Sequence, residues 1–283
     1  MNVPMTTSPS TLSPATDVAP PLPDGAELAP GLTTVEHLSR NRALDVYDVW
    51  DARRHCRCVA KTLRPDRLGE ERVVARLRQE GALLARLGHP HIVRAYETRE
   101  EPQLIVVLET LSGETLDHLL ESESRPMPVE QLALLGLHLA SALAYLHGEG
   151  YVHVDVKPSN VIIDQGWAKL LDLSLSRPPG PGPAGMGTAC YLSPEQARGG
   201  CFTAAVDVWG LGMVLFDAAT RRLPFPDLER VRYPQAYLSA LPVRVARPSL
   251  PRDLALLIDA CLEHAPEQRP AITDVLEALE AFV

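Results

Sequence analysis

Between Leu38 and Leu63 apolar and polar positions alternate in short β-type runs divided by polar turns, and from Glu71 to Leu87 the spacing lengthens to that of an amphipathic helix. A second pair of strands is predicted over Ile92 to Thr98 and Leu104 to Leu108. The latter, Leu-Ile-Val-Val-Leu, is a continuous run of the kind buried on both faces. After Ser112-Gly113 helical spacing takes over: Val129 to His147 stopped by Gly148, then Ala204 to Thr220, Pro251 to Glu263 and Ala271 to Val283. The pattern is that of an α+β, two-lobed fold with a small β-rich half and a larger helical half. Residues 1 to 30 show no apolar period and are crowded with Pro, Ser, Thr and Ala; they read as a disordered tail or linker. The folded domain is accordingly placed at 31–283, with the small lobe over 31–109 and the large one over 110–283.

Composition narrows the partners. The chain has 283 residues, which suits one two-lobed domain plus a tail, and 46% of them are hydrophobic, ample for its interior. A net charge of -9 argues against a nucleic-acid backbone or an anionic membrane as main partner and favours small molecules or proteins. Cys56, Cys58, Cys190, Cys201 and Cys261 are odd in number and scattered, which fits a reducing compartment, and Cys56 and Cys58 lack the further ligands of a zinc site. The longest apolar run, Leu132 to Leu146, is short for a membrane span and is interrupted by His138 and Ser141. With no signal peptide and Asn2 where myristoylation needs glycine, the expected location is the cytoplasm.

Two stretches carry chemistry. In the helix from Glu71, Glu80 falls inside the stripe of Val73, Leu77, Leu84 and Leu87, and a carboxylate facing a core needs a cation; Lys61, in Cys58-Val-Ala-Lys-Thr-Leu63, is the expected partner. In Tyr151-Val-His-Val-Asp-Val-Lys157, an extended chain would set His153, Asp155 and Lys157 on one surface and Val152, Val154 and Val156 on the other. Val161-Ile-Ile163 and Ala168-Lys-Leu-Leu171 read as a hairpin about Asp164-Gln-Gly-Trp167, whose outer ends bring Asn160 beside Asp172. Two hard oxygen ligands at one spot suit Mg²⁺.

Taken together these stretches resemble the protein kinase family, specifically its eukaryotic-like serine/threonine members of bacterial type. Val59-Ala-Lys61 is similar to the strand with the ATP-binding lysine, Leu87-Gly-His-Pro-His-Ile-Val93 to the connection after the regulatory helix, and Val107-Leu-Glu-Thr-Leu111 to the adenine hinge. His153-Val-Asp-Val-Lys-Pro-Ser-Asn160 resembles the catalytic loop, and Asp172-Leu-Ser174 the Asp-Phe-Gly element. Gly187-Thr-Ala-Cys-Tyr-Leu-Ser-Pro-Glu195 looks like the end of an activation segment, Asp207-Val-Trp-Gly210 like its buried anchor, and Arg269 like the partner of Glu195. The resemblance implies a bilobal kinase fold and transfer of the γ-phosphoryl of ATP to a Ser or Thr hydroxyl of a protein. It gives Asp155 the substrate hydroxyl and Lys157 the γ-phosphoryl as catalytic residues, and Asn160 and Asp172 the Mg²⁺, with Mn²⁺ as a substitute. Lys61, fixed by Glu80, would hold phosphates, while Val46, Ala60, Leu108, Glu109, Leu111 and Ile162 would surround the adenine. A partner protein on the small lobe or the tail is a further expectation.

The departures from the family are as informative. The arginine before the catalytic aspartate is Val154, and Pro178 to Gly185 contains no phosphorylatable residue, so control by activation-loop phosphorylation is not expected. The residues after Asp172 are Leu173 and Ser174 in place of Phe and Gly. Above all, the three glycines of the phosphate loop fall on Ser39, Asn41 and Leu44. Small, polar Ser39 and Asn41 can stand in for two of them, asparagine by tolerating left-handed geometry, but Leu44 cannot; glycines restored at the three positions would tighten ATP binding in a merely impaired lid and leave it unchanged in a chain that no longer uses one. A pseudokinase that binds nucleotide or a partner is the alternative that these departures raise.

Overall fold

Nine residues of β2 (Leu32–Arg40) pair on one side with β1 (Glu27–Ala29) and on the other with β3 (Leu44–Asp51), opening an antiparallel sheet that continues through β4 (Cys56–Leu63). The helix α1 (Glu71–Leu84) and the strands β5 (Ala95–Arg99) and β6 (Ile105–Glu109) complete the small lobe, with sheet order β1-β2-β3-β4-β6-β5. This computed structural model describes residues 19–227 and 231–283. Both sheet faces are covered, which is why Ile105 to Leu108 is apolar throughout. Alternation sends Tyr47, Val49, Cys58, Ala60, Ile105 and Val107 to an outer face closed by Leu28, Ala29 and Leu32. Leu44, Leu63, Val106 and Leu108 go to the inner face, where α1 packs through Leu77 and Leu84.

Three boundaries differ from the expectation. Residues 1–18 of the proposed tail lie outside the described residues, but the tail does not extend to 30: Leu28 and Ala29 are buried in β1, turned back by Pro30-Gly31, with Gly31 at φ +78°. Two apolar residues are too few for a detectable period, yet enough to seal a sheet face. The helix α1 ends at Leu84, and Leu87 reaches the core from the turn beyond it, so the apolar stripe outruns the helix. Ile92 and Val93 are buried but belong to no strand of the sheet; they pair instead with a strand of the large lobe.

The large lobe begins with β7 (Glu114–Thr115), α2 (Leu116–Ser122) and α3 (Val129–Gly148), followed by the hairpin β8 (Val161–Asp164) and β9 (Trp167–Leu170). Then come β10 (Gly180–Gly182), α4 (Pro194–Arg198), β11 (Gly200–Phe202), α5 (Ala204–Thr220), α6 (Val243–Ala246), α7 (Arg252–Cys261) and α8 (Ile272–Glu280). At 20 residues and a mean hydropathy of 1.4, α3 is by length and composition able to cross a membrane. Its apolar content is used here internally, since Leu132, Leu139, Leu143 and Leu146 are buried and the helix packs on α5 and α8. Helix α5 is buried almost all round, and Gly210 lets it approach the chain at Val156: a Cβ there would lie 2.7 Å from the valine side chain.

Candidate active site

The register of the sheet decides which side chains face the space between the lobes. Lys61 lies opposite Val46 on one side and Val106 on the other, and residues opposite each other in an antiparallel pair share a face. Val46, Lys61 and Leu108 therefore face the cleft, as expected. Ala60 does not: it lies opposite Tyr47 on the outer face, and the strand's period of two gives its expected place to Val59, opposite Leu108. Lys61 is 7% exposed and its ammonium donates to both oxygens of Glu80 (2.9 and 2.8 Å) and to Asp172 (2.9 Å). Burial alone would lower the lysine pKa, but the two carboxylates outweigh it and hold the group above its ordinary value. Asp172 is opposed by burial too, and the Lys61 ammonium overcomes this, keeping the carboxyl well below the usual carboxylate range. For Glu80, 1% exposed, burial prevails and the pKa is raised.

Across the cleft, the run from Tyr151 is not the extended chain that its alternation suggests. Val154 sits at φ +75° and Asp172 at +56°, left-handed geometry that L-residues rarely adopt. A buried carboxylate holds the first of these bends: Asp207 accepts the backbone N–H groups of His153 (2.7 Å) and Val154 (2.8 Å) and contacts His147 Nε2 at 2.8 Å. The bend turns His153 inward, fully buried, where Nε2 donates to the Leu171 carbonyl (3.0 Å) and Nδ1 accepts from the Asp155 amide (3.2 Å). His153 thus leaves the surface it was expected to share with Asp155 and Lys157. Those two remain together, Lys157 Nζ standing 3.0 Å from Asp155 Oδ2 and donating to Thr188 Oγ1 at 2.6 Å.

Asn160 is brought to the same place by its amide, which donates to the Asp155 carbonyl (2.8 Å) and Oδ2 (3.2 Å), while its own carbonyl accepts the Leu171 N–H (2.8 Å), one residue before Asp172. The hairpin expectation for Asn160 and Asp172 is met through that bond. Asp155 Oδ1 is buried with no hydrogen-bond partner among the described residues, and none donates to Asn160 Oδ1 or Asp172 Oδ2. The residues that own these acceptors are linked by Asn160, through its bonds to Asp155 and to Leu171 beside Asp172. Among the described residues there is no group of three or more His, Cys, Asp or Glu side chains able to hold a metal alone. The donor set fits a hard cation that completes its shell with water and phosphate oxygens.

At the other end of the cleft, Glu109 ends β6 with its carboxylate 2.5 Å from Lys169 Nζ and 3.0 Å from the Arg94 amide. Ile162 lies opposite Lys169 in the β8–β9 pair, half-buried and on the face that meets Glu109, and Leu111 is half-buried at the edge of the core. The strand β9 also receives the chain after α1, with the Leu170 amide donating to the His91 carbonyl (2.8 Å) and the Val93 amide to the Leu170 carbonyl (3.0 Å).

Over the cleft, Ser39 lies opposite Val46 and so faces inward, whereas Asn41 is occupied. Its Oδ1 accepts the Ala43 and Leu44 amides (2.8 Å each) and its own amide donates to the Leu44 carbonyl (3.0 Å), an Asx-type closure. No residue from Leu38 to Leu44 has positive φ, so Asn41 closes the turn by hydrogen bonding and not by left-handed geometry. Leu44 is buried opposite Leu63.

The segment after Asp172 is held by apolar packing, a strand pair and an ion pair. Val154, where the family has arginine, packs with Val152, Phe202, Val206, Leu175 and Met186. The Pro-Gly stretch forms β10, paired with β11. Arg269 clamps Glu195 with two bonds (2.7 and 2.9 Å) and lies over the Trp209 ring at 4.9 Å. The residue that the sequence did not single out is Gln196. It is 2% exposed, and its Nε2 donates to the carbonyls of Val154 (2.7 Å) and Met186 (3.0 Å), joining the catalytic loop to the segment. Its only sequence signal is the Ser193-x-x-Gln196 capping box.

Residues 39–279 match the family described as Protein kinase domain. The chain is 34% identical over 229 residues to the serine/threonine-protein kinase PkaA of Streptomyces coelicolor, covering 77% of this chain and 42% of that one. It is 31% identical over 263 residues to PknB of Mycobacterium tuberculosis (84% and 42%) and 32% identical over 227 residues to PrkC of Bacillus subtilis (77% and 35%), both likewise serine/threonine-protein kinases. The chain spans about two fifths of the length of these curated relatives.

Proposed function

Because the chain belongs to the protein kinase domain family, we propose that it is an ATP-dependent serine/threonine protein kinase whose activation segment needs no phosphorylation. One observation carries the reading: Lys61 bridges Glu80 and Asp172 while Asp155, Lys157 and Asn160 stand together across the cleft. A partner-binding scaffold has no use for all six groups in this arrangement. Family members work with ATP and a divalent cation, here proposed as Mg²⁺ with Mn²⁺ able to replace it. When bound, the cation would be held by Asn160 and Asp172 and would neutralise phosphate charge.

The chain's own groups account for the rest. Asp155 Oδ1, buried and without a hydrogen-bond partner among the described residues, accepts the proton of the substrate hydroxyl as that oxygen bonds to the γ-phosphorus and the bond to the departing ADP oxygen breaks. Lys157 keeps a positive charge beside the transferring group, and its bond to Thr188 ties that charge to the segment on which a protein substrate would lie. Lys61 remains cationic at neutral pH and offers its charge to the phosphates. The apolar packing of Val154 does what an arginine–phosphate contact does in controlled kinases. A cytoplasmic location and a protein substrate with a Ser or Thr acceptor belong to the same proposal, without nucleic acid or membrane as main partner.

The test is incubation of the purified protein with labelled ATP, Mg²⁺ or Mn²⁺ and a generic basic protein, beside Asp155→Asn. Transfer by the wild type, and a rate about a thousandfold lower in the variant with nucleotide affinity kept, is the expected result. Equal label in both would end the reading.

A further inference from the structure

The outer face of the lid hairpin carries a charge cluster that phosphate transfer does not require. Asp45 lies between Leu44 and Val46 in β3, so it points away from the cleft, and it is 1% exposed. Arg40 grips it with two bonds, Nε to Oδ1 (2.6 Å) and Nη2 to Oδ2 (2.8 Å), and His37 Nε2 lies 3.1 Å from Oδ1. The remaining arm of the guanidinium, Nη1, donates to the carbonyl of Ala19 (2.8 Å). Two further bonds lay the same N-terminal stretch on the hairpin: the Leu22 amide donates to the Tyr47 hydroxyl (3.0 Å), and Thr34 Oγ1 donates to the Pro23 carbonyl (2.7 Å).

We propose that residues 19–23, with Arg40 and Asp45, form a strap that positions the nucleotide lid from outside, in place of the glycine amides that position it from inside elsewhere in the family. The inference rests on the kinase reading for what lies beneath the lid. Its physical basis is that the amides of Asn41, Ala43 and Leu44 are spent within the hairpin, so the hairpin's attitude is set by what grips it. A buried carboxylate must keep its cation, and only a planar fork binds a carboxylate with two arms and a carbonyl with a third. Arg40 is therefore a positioning residue: it orients Asp45 and through it the strand that carries Val46 into the cleft.

The experiment compares the full chain, a chain lacking residues 1–18, one lacking 1–23, Arg40→Lys, and the double variant Arg40→Ala with Asp45→Asn, which leaves no unpaired buried charge. Hydrogen exchange over residues 37–47 is measured without nucleotide. The Kd of a fluorescent ATP analogue, KM for ATP and kcat are measured alongside. Relative to the chain lacking 1–18, loss of 19–23 should speed exchange in the lid and raise Kd and KM roughly tenfold, with a smaller change in kcat. The double variant should match it, and Arg40→Lys should fall between. Unchanged exchange and Kd in the shorter chain and the double variant overturns the strap. A full chain that binds the analogue but transfers nothing sinks the kinase reading while leaving the strap judged by exchange and Kd; one that binds no nucleotide overturns both.

Discussion

Beneath the lid, the floor of the cleft carries its charge on side-chain atoms: Lys61 Nζ and the carboxylates of Glu80, Asp155 and Asp172, with the side-chain amide of Asn160 beside them. In the lid, from Leu38 to Leu44, the family's contribution is backbone geometry, and here the glycines that supply it are gone while the hairpin remains. A function held by an ammonium or a carboxylate can be met only by the few residue types that own such a group. A backbone shape can be rebuilt by unrelated residues, here Asn41 closing the turn and Arg40 gripping Asp45.

The sharpest way to break this contrast is at the floor. Lys61→Met leaves Glu80 and Asp172 facing each other without their cation and should cost about 3 kcal/mol or more, read from denaturant unfolding. Adding Glu80→Gln should recover part of that loss, and strict additivity would mean that the pair does not act as a unit. Phe202→Ala empties the apolar cluster around Val154 and should cost about 3 kcal/mol while lowering kcat. Full activity in that variant would show that the packing does not hold the activation segment.

A smaller effect follows from pH. Because the folded pKa of Asp172 is depressed, the stability it contributes is complete above the ordinary carboxylate pKa of about 3.9 and is lost as pH falls below it. The stability difference between wild type and Asp172→Asn should therefore shrink on acidification from about pH 6 to pH 3, and a constant difference would exclude the Lys61 pairing. Smallest of all is the lid. Ser39, Asn41 and Leu44 replaced together by glycine should not tighten ATP binding, against the expectation for a merely impaired lid, since Asn41 closes the turn and Leu44 fills the core. A clearly tighter Kd would return the lid to the ordinary, glycine-governed kind.

The same contrast explains what could be read without coordinates. Lys61, Glu80, Asp155, Asn160 and Asp172 are legible in the sequence because each owns a charged or amide group that needs a partner when enclosed, and helix α5 is legible to the residue because its run from Ala204 to Thr220 is largely apolar, with only Asp207 and Asp217 charged. Ala60 faces outward where Val59 faces the cleft, because a shift of one position changes the face in a strand whose period is two. The inward turn of His153 was hidden because the left-handed bend at Val154 is imposed by Asp207, more than fifty residues away, on a residue with no preference for it. The strap was invisible for a similar reason: its bonds run through the main-chain groups of Ala19, Leu22 and Pro23, which any residues would supply.

One short strand has a mechanical consequence. The small lobe rests on β9 at two places, through His91 and Val93 on Leu170 and through Glu109 on Lys169. Two further bonds across the cleft, Lys61 to Asp172 and Gln79 to the Ser176 carbonyl, lie away from β9; once those are released, the lobe would turn about β9 as a fulcrum. Points close to the axis, such as Glu109 and Leu108, shift little when the cleft opens, while the lid at the far end of the lever travels most. A lever transmits rotation only if its arm is stiff. A hairpin bolted by ionic and hydrogen bonds moves with its lobe, where a glycine loop would flex independently, and nucleotide entry then becomes a property of the whole lobe's rotation.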